Sequence, residues 1–165
     1  MNIFYLDHDA IKSARAMTDK HVVKMIVETA QLLSTAHHVL DGANALPKRI
    51  YKPTHRNHPS AVWVRETIGN YLWTRDHLWA LLDEYAKRYN KKPSDHATYW
   101  VAMDLKYPPM NIKNDFNMTP IKLAITDKKH HVKNDGVASY RNYYVAEKLK
   151  NEKDLKRYLT IIGDL

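Results

Sequence analysis

No cysteine occurs among the 165 residues, so a disulfide scaffold, a cysteine-bearing zinc site and a thiol nucleophile are all excluded. Glycine is nearly as scarce, with four residues, which leaves few positions for the tight turns that join β-strands. No run of eighteen apolar residues exists to cross a membrane. Residues 1–12 also lack the basic start and apolar stretch of a signal peptide. Gly-rich phosphate loops, G-x-S-x-G elbows and H-E-x-x-H zinc helices are missing as well. These absences predict a soluble intracellular protein, and the cytoplasm fits the want of cysteine.

What is present is positive charge. Lysine and arginine number 26 against 18 aspartates and glutamates, a net charge of +8 with a pI near 9.5. The excess sits at both ends of the chain rather than in a tail, so only folding can bring it together. Such a balance suits a nucleic acid or another phosphate-rich ligand. A chain of this length buries roughly 70% of the surface it exposes when unfolded, enough for one core without a staple. One domain over residues 1–165 is expected.

Apolar residues recur mostly at helical spacing, predicting a compact all-α, single-domain bundle with long irregular connectors. Asp7 or Asp9 can cap a short helix to about Met17. A longer helix is expected from Asp19 to Leu40, with Val22, Met25, Ile26, Ala30, Leu32, Leu33, Ala36 and Leu40 on its inner face and Asp41-Gly42 at its end. An irregular connector with Pro47 and Pro53 leads to Pro59, which opens a third helix to Ile68. A fourth covers Asn70 to Tyr89, turning Leu72, Trp79, Leu82 and Tyr85 inward and Tyr71 and Arg75 to another side. Asp95 is placed as the cap of a short helix to Leu105, and Tyr107 to Pro120 reads as a long loop. Two last helices are expected over Val137–Lys150 and Lys153–Ile162.

Chemistry concentrates in two places. On the outer face of the second helix, His21, Lys24, Glu28, Gln31, Thr35 and His38 follow one another at intervals of three or four and form one stripe. A carboxylate, an amine and an imidazole within two turns can divide acid, base and nucleophile roles. The same pattern also describes a solvated face with an ordinary Lys24–Glu28 ion pair. The second place is the run from Tyr51 to Pro59, where Lys52, His55, Arg56 and His58 precede a helix start and suit a phosphate. Arg65, two turns on, extends that patch. The competing reading is that Asn57 or His58 merely caps the helix.

His55 and His58 have an H-x-x-H spacing, yet no full ligand pattern accompanies it, and neither metal nor cofactor is expected. His37 falls on the apolar side of its helix and reads as a core histidine. His130 and His131 read as part of an exposed basic loop. Near the C-terminus, Tyr140 and Arg141 through Tyr144 suit base stacking and phosphate contact, and equally suit a core.

Asp19-Lys20-His21, with Glu28 seven residues beyond the histidine on the same amphipathic helix, resembles the small phage-type pyrimidine-dimer DNA glycosylases. Lys52-Pro53-Thr54, the aromatic-rich helices after it and the Tyr140–Tyr144 cluster are similar in order. The opening Asn2-Ile3-Phe4-Tyr5-Leu6 is also similar to small tailed-phage proteins. The resemblance implies a helical bundle that kinks DNA and extrudes a base, acting in the cytoplasm of an infected bacterial cell. It further implies Glu28 as the acid/base, His21 as the helix histidine, and a terminal amine that forms a Schiff base with the sugar. This chain departs from the family pattern at residue 2, where Asn replaces a threonine, and at Val27 and Gln31, where the family has arginines. Lys24 is then an alternative amine. A second functional reading keeps the cationic cleft and gives it a nucleotide or cyclic-dinucleotide ligand instead of DNA.

Overall fold

The computed structural model describes residues 2–163, the side chain of Asn44 excepted, and among them there are seven α-helices and no strand. They are α1 (Ala10–Arg15), α2 (Asp19–Leu40), α3 (Pro59–Val64), α4 (Ile68–Tyr89), α5 (Thr98–Asp104), α6 (Gly136–Glu147) and α7 (Glu152–Ile162). The all-α expectation holds. No helix of the described residues is long and apolar enough to cross a membrane.

Side-chain caps set most of the helix starts. Asp9 accepts from the amides of Ile11 and Lys12, Thr18 from His21, Thr67 from Asn70, Asp135 from Ala138 and Asn151 from Asp154. Each satisfies donors that would otherwise be orphaned, an effect of about 1 kcal/mol. α2 begins and ends where its apolar periodicity does, and its inner face is buried throughout except for a partly covered Leu40. α2 and α4, the two longest helices, pack along each other; α1 lies on α4 and α3 on α2.

Residues 3–6 form a strap with no regular structure that runs through the core. Tyr5 is enclosed by Trp63, Trp73 and Tyr140, with ring centroids 4.9, 5.1 and 5.3 Å away. Truncating such a ring typically costs about 3–5 kcal/mol. The strap is clipped by Ser13, whose hydroxyl donates to the Phe4 carbonyl (3.2 Å) and accepts the Leu6 amide (3.0 Å).

Several local expectations are corrected. α3 stops at Val64, and Ile68 starts α4, because Thr67 caps a new helix between them. Tyr71 is fully buried rather than turned aside: its hydroxyl donates to the Leu105 carbonyl, and His37 Nε2 lies 2.9 Å from it. Leu82 is buried as expected, whereas Leu72, Trp79 and Tyr85 are only partly covered. Asp95 does not cap α5; its carboxylate accepts the Lys92 amide within a separate 3-10 turn. His130 is buried, although His131 beside it is exposed.

The stretch between α5 and the turn at Lys128–His130 is irregular, as expected, but it is firmly tied. Its carbonyls at Lys113 and Asp115 accept the Ile68 and Gly69 amides at the start of α4. Asn70, fully buried, bridges the Trp63 carbonyl and the Thr119 hydroxyl and backbone. The close approach requires Gly69, since a Cβ there would sit 2.5 Å from the Phe116 carbonyl oxygen.

Candidate active site

The outward stripe of α2 divides into two halves. In the C-terminal half, Thr35 Oγ1 accepts the Thr54 amide (3.1 Å), His38 Nε2 meets the Tyr51 carbonyl (3.0 Å), and Ser34 Oγ accepts the Tyr51 amide (3.1 Å). These bonds lay the connector 51–54 along the helix. Lys52 stays exposed on it. The chain then turns at His55, whose φ of 46° is left-handed, and the His58 amide closes the turn on the His55 carbonyl (2.9 Å).

The N-terminal half of the stripe carries His21, Lys24 and Glu28. Glu28 is largely covered, and its carboxylate lies 3.4 Å from the ammonium of exposed Lys24. Its negative charge acts on both His21 and His58, opposing the fall in their pKa values. Glu28 therefore lies within electrostatic reach of both the helix stripe and the loop cluster.

His21 is the most constrained member. Its Nδ1 is 2.7 Å from the Tyr144 hydroxyl, which also accepts the Thr18 amide at 2.9 Å. Its ring stacks on Phe4 with centroids 4.8 Å apart and planes 24° from parallel. Burial pushes its pKa down to about 4, aided by the positive charges of Lys148, Lys24 and Lys20. His21 is thus neutral near pH 7. His58 is lowered too, first by burial and then by positive charge around it, His55 included. Its Nδ1 accepts the Ser60 amide (3.2 Å), so it does cap α3 while facing Glu28 electrostatically.

Among the remaining predicted residues, His55 and Arg56 are exposed beside the turn, with His55 Nδ1 2.7 Å from the Thr54 hydroxyl. Three positions are corrected. Arg65 donates to the Arg56 (2.7 Å) and Ala61 (2.9 Å) carbonyls, so its guanidinium fastens the turn instead of extending an open patch. Tyr140 is fully enclosed, donating nothing to solvent and accepting the Ala124 amide, so its ring offers no face to a base. Arg141 clamps the Leu6 carbonyl (2.7 Å) and Asp7 (2.8 Å), which holds the strap. The terminal amine of Met1 lies outside the described residues.

Sequence reasoning missed Phe4 and the tie between Tyr144 and His21. Nothing local signals a hydrogen bond that spans 123 residues. Among the described residues no group of three or more His, Asp or Glu side chains could hold a metal. Two grooves of about 740 and 770 Å³ lie elsewhere, one bordered by α1, α4 and α5, the other by residues 118–123 and the start of α6. Neither is lined by Glu28, His21 or His58.

A basic helical bundle whose second helix sets a carboxylate beside a histidine and a cation, with further cations on the following connector, has the charge that suits a phosphate-bearing partner. Comparison makes this specific. Residues 1–97 match the family model of pyrimidine dimer DNA glycosylases, and the chain belongs to that family. The match takes in α1 to α4, with His21, Lys24, Glu28 and the loop cluster. No curated protein and no solved structure matches significantly.

Proposed function

We propose that the chain excises damaged pyrimidines from DNA with Glu28 as the proton-transferring carboxylate. The observation that supports this most is the electrostatic reach of Glu28 to both His21 and His58, inside the segment that carries the family match. In the proposed reaction an amine adds to C1′ of the deoxyribose as the C1′–N bond breaks. The bonding pair leaves with the pyrimidine, and the carboxylate takes the amine's surplus proton. The carboxylic acid so formed returns that proton to O4′ as the C1′–O4′ bond breaks, which leaves a Schiff base that water hydrolyses, and the displaced pyrimidine anion takes its proton from water. The amine is that of the N-terminus or of Lys24. Exposed Lys52, His55 and Arg56 supply backbone contacts, so binding should weaken steeply with salt. His21 faces the substrate as a neutral group.

The deciding experiment uses labelled duplexes, intact, UV-irradiated or abasic, with borohydride present. Base release and a trapped adduct confined to damaged DNA are expected, and mapping the adduct identifies the amine. A wild-type rate of release in Glu28→Gln would overturn the assignment. Displacement of bound duplex by a free mononucleotide or cyclic dinucleotide would instead support the signal-binding alternative. A phage origin and action in an infected host cell belong to this proposal as well, on the strength of the residue 2–6 likeness.

A further inference from the structure

We infer that Tyr144 is the positioning residue of the site: its hydroxyl donates to His21 Nδ1, so His21 presents Nε2–H to the substrate. A phenol has one proton to give. The Thr18 amide already occupies an acceptor position on the Tyr144 oxygen at 2.9 Å, and His21 Nδ1 lies at 2.7 Å. Were Nδ1 the donor, the fully buried hydroxyl would receive two protons and could turn its own only toward the Thr18 hydroxyl, which already accepts the His21 amide at 3.2 Å. Burial raises the Tyr144 pKa to about 12, so the phenol keeps that proton across the working pH range.

The ring plane is fixed from the other side. Phe4 stacks on His21 with a left-handed φ of 56°, a conformation a phenylalanine adopts only when its surroundings impose it. Asn2 Oδ1, accepting the Phe4 amide at 3.3 Å, and the Ser13 clip supply that restraint. The charged groups acting on His21 are Lys20, Lys24 and Glu28 of its own helix and Lys148 at the end of α6. Three cations against one carboxylate disfavour a fourth positive charge there.

The consequence, which rests on the glycosylase reading, is a division of labour. His21 contributes a directed, uncharged hydrogen bond to a substrate oxygen, and Glu28 moves the proton. His21 is thereby removed from the candidate acids.

The test is nitrogen-15 spectroscopy of the His21 ring in the whole protein, paired with base release against pH. The expected wild-type spectrum has Nδ1 unprotonated and Nε2 protonated, unchanged from pH 7 to pH 5. A protonated Nδ1 at pH 7 would overturn the inference, whatever the variants do. In Tyr144→Phe the ring should become a mixture of tautomers and titrate at higher pH, and base release should show a new loss between pH 7 and pH 5. Tyr158→Phe removes a neighbouring buried hydroxyl from a ring stacked on Tyr144, and should leave both readouts at their wild-type values. Unchanged tautomer and pH profile in Tyr144→Phe would sink the positioning role. The expected spectra with no base release from any duplex would leave the hydrogen bond standing and reject the glycosylase reading.

Discussion

Residues 2–97 and residues 98–163 do different work. In the proposed reaction the first region supplies the reactive groups, Glu28, His21 and Lys24, with His58 and the exposed cations of the connector beside them. The second supplies restraint. Tyr144 holds His21, Thr119 locks Asn70 and Trp63, and Lys153 and Arg157 converge on Asp19 at the start of α2. The family match covers the first region and ends before α5. Chemistry at a site demands particular side chains at particular intervals, whereas a buttress needs only a donor, an acceptor or a ring in the right place. Many sequences meet the second demand, and so the supporting half carries fewer signs of its role.

The largest expected effect strikes the first region alone. Glu28→Gln should slow base release by about 10²- to 10⁴-fold, the usual contribution of a placed acid or base, with little change in melting temperature. Duplex cleavage assays beside calorimetry would check both halves of that statement.

Next comes acidification, which acts on both the site and the core. His77 is fully buried, and burial lowers its pKa to about 4, against an ordinary value near 6.5. The unfolded chain therefore binds this proton first as pH falls. Stability should be intact above about pH 6.5, decline through the window down to pH 4, and level off below it. The loss from this residue is on the order of 3 kcal/mol. Urea unfolding at pH 7, 6, 5 and 4 gives the slope, and a flat profile would contradict a buried neutral His77.

A smaller effect should break the joint between the regions. Gly69→Ala places a Cβ 2.5 Å from the Phe116 carbonyl oxygen and 2.7 Å from the Asn117 backbone, with no flexible side chain to yield. A destabilisation of about 1–3 kcal/mol is expected, typical of overpacking, and hydrogen exchange should rise in the Ile68 and Gly69 amides first. Loss of protection spread evenly over the chain would argue against a local joint. The smallest effect belongs to Arg56→Ala. It should weaken duplex binding a few-fold and reduce the slope of log affinity against log salt by about 1, as for one lost phosphate contact.

How far the sequence alone could reach depends on the range of the interaction. Helix α2 was legible nearly to the residue, because apolar spacing and the Asp41-Gly42 stop agree within one short segment. The core role of His37 was legible for the same reason. The break between α3 and α4 was not, since Val64 and Ile68 continue one apolar rhythm and only the Thr67 cap separates them. Arg65 was read as a phosphate contact and Tyr140 as either a base-stacking ring or a core ring, because a type does not reveal that a guanidinium is bonded to carbonyls or that a phenol is enclosed.

The sequence by itself determined the helical class, the extent of α2, the stripe bearing His21 and Glu28, and the family. All of these are set by residues three to seven positions apart, a distance over which helix geometry is fixed. Tertiary structure decided that the connector bearing His58 comes within electrostatic reach of Glu28, that the strap threads the core, and that the Tyr144 hydroxyl meets His21. Those contacts close loops of tens to more than a hundred residues, and which of them form is decided by packing the whole core rather than by any local pattern.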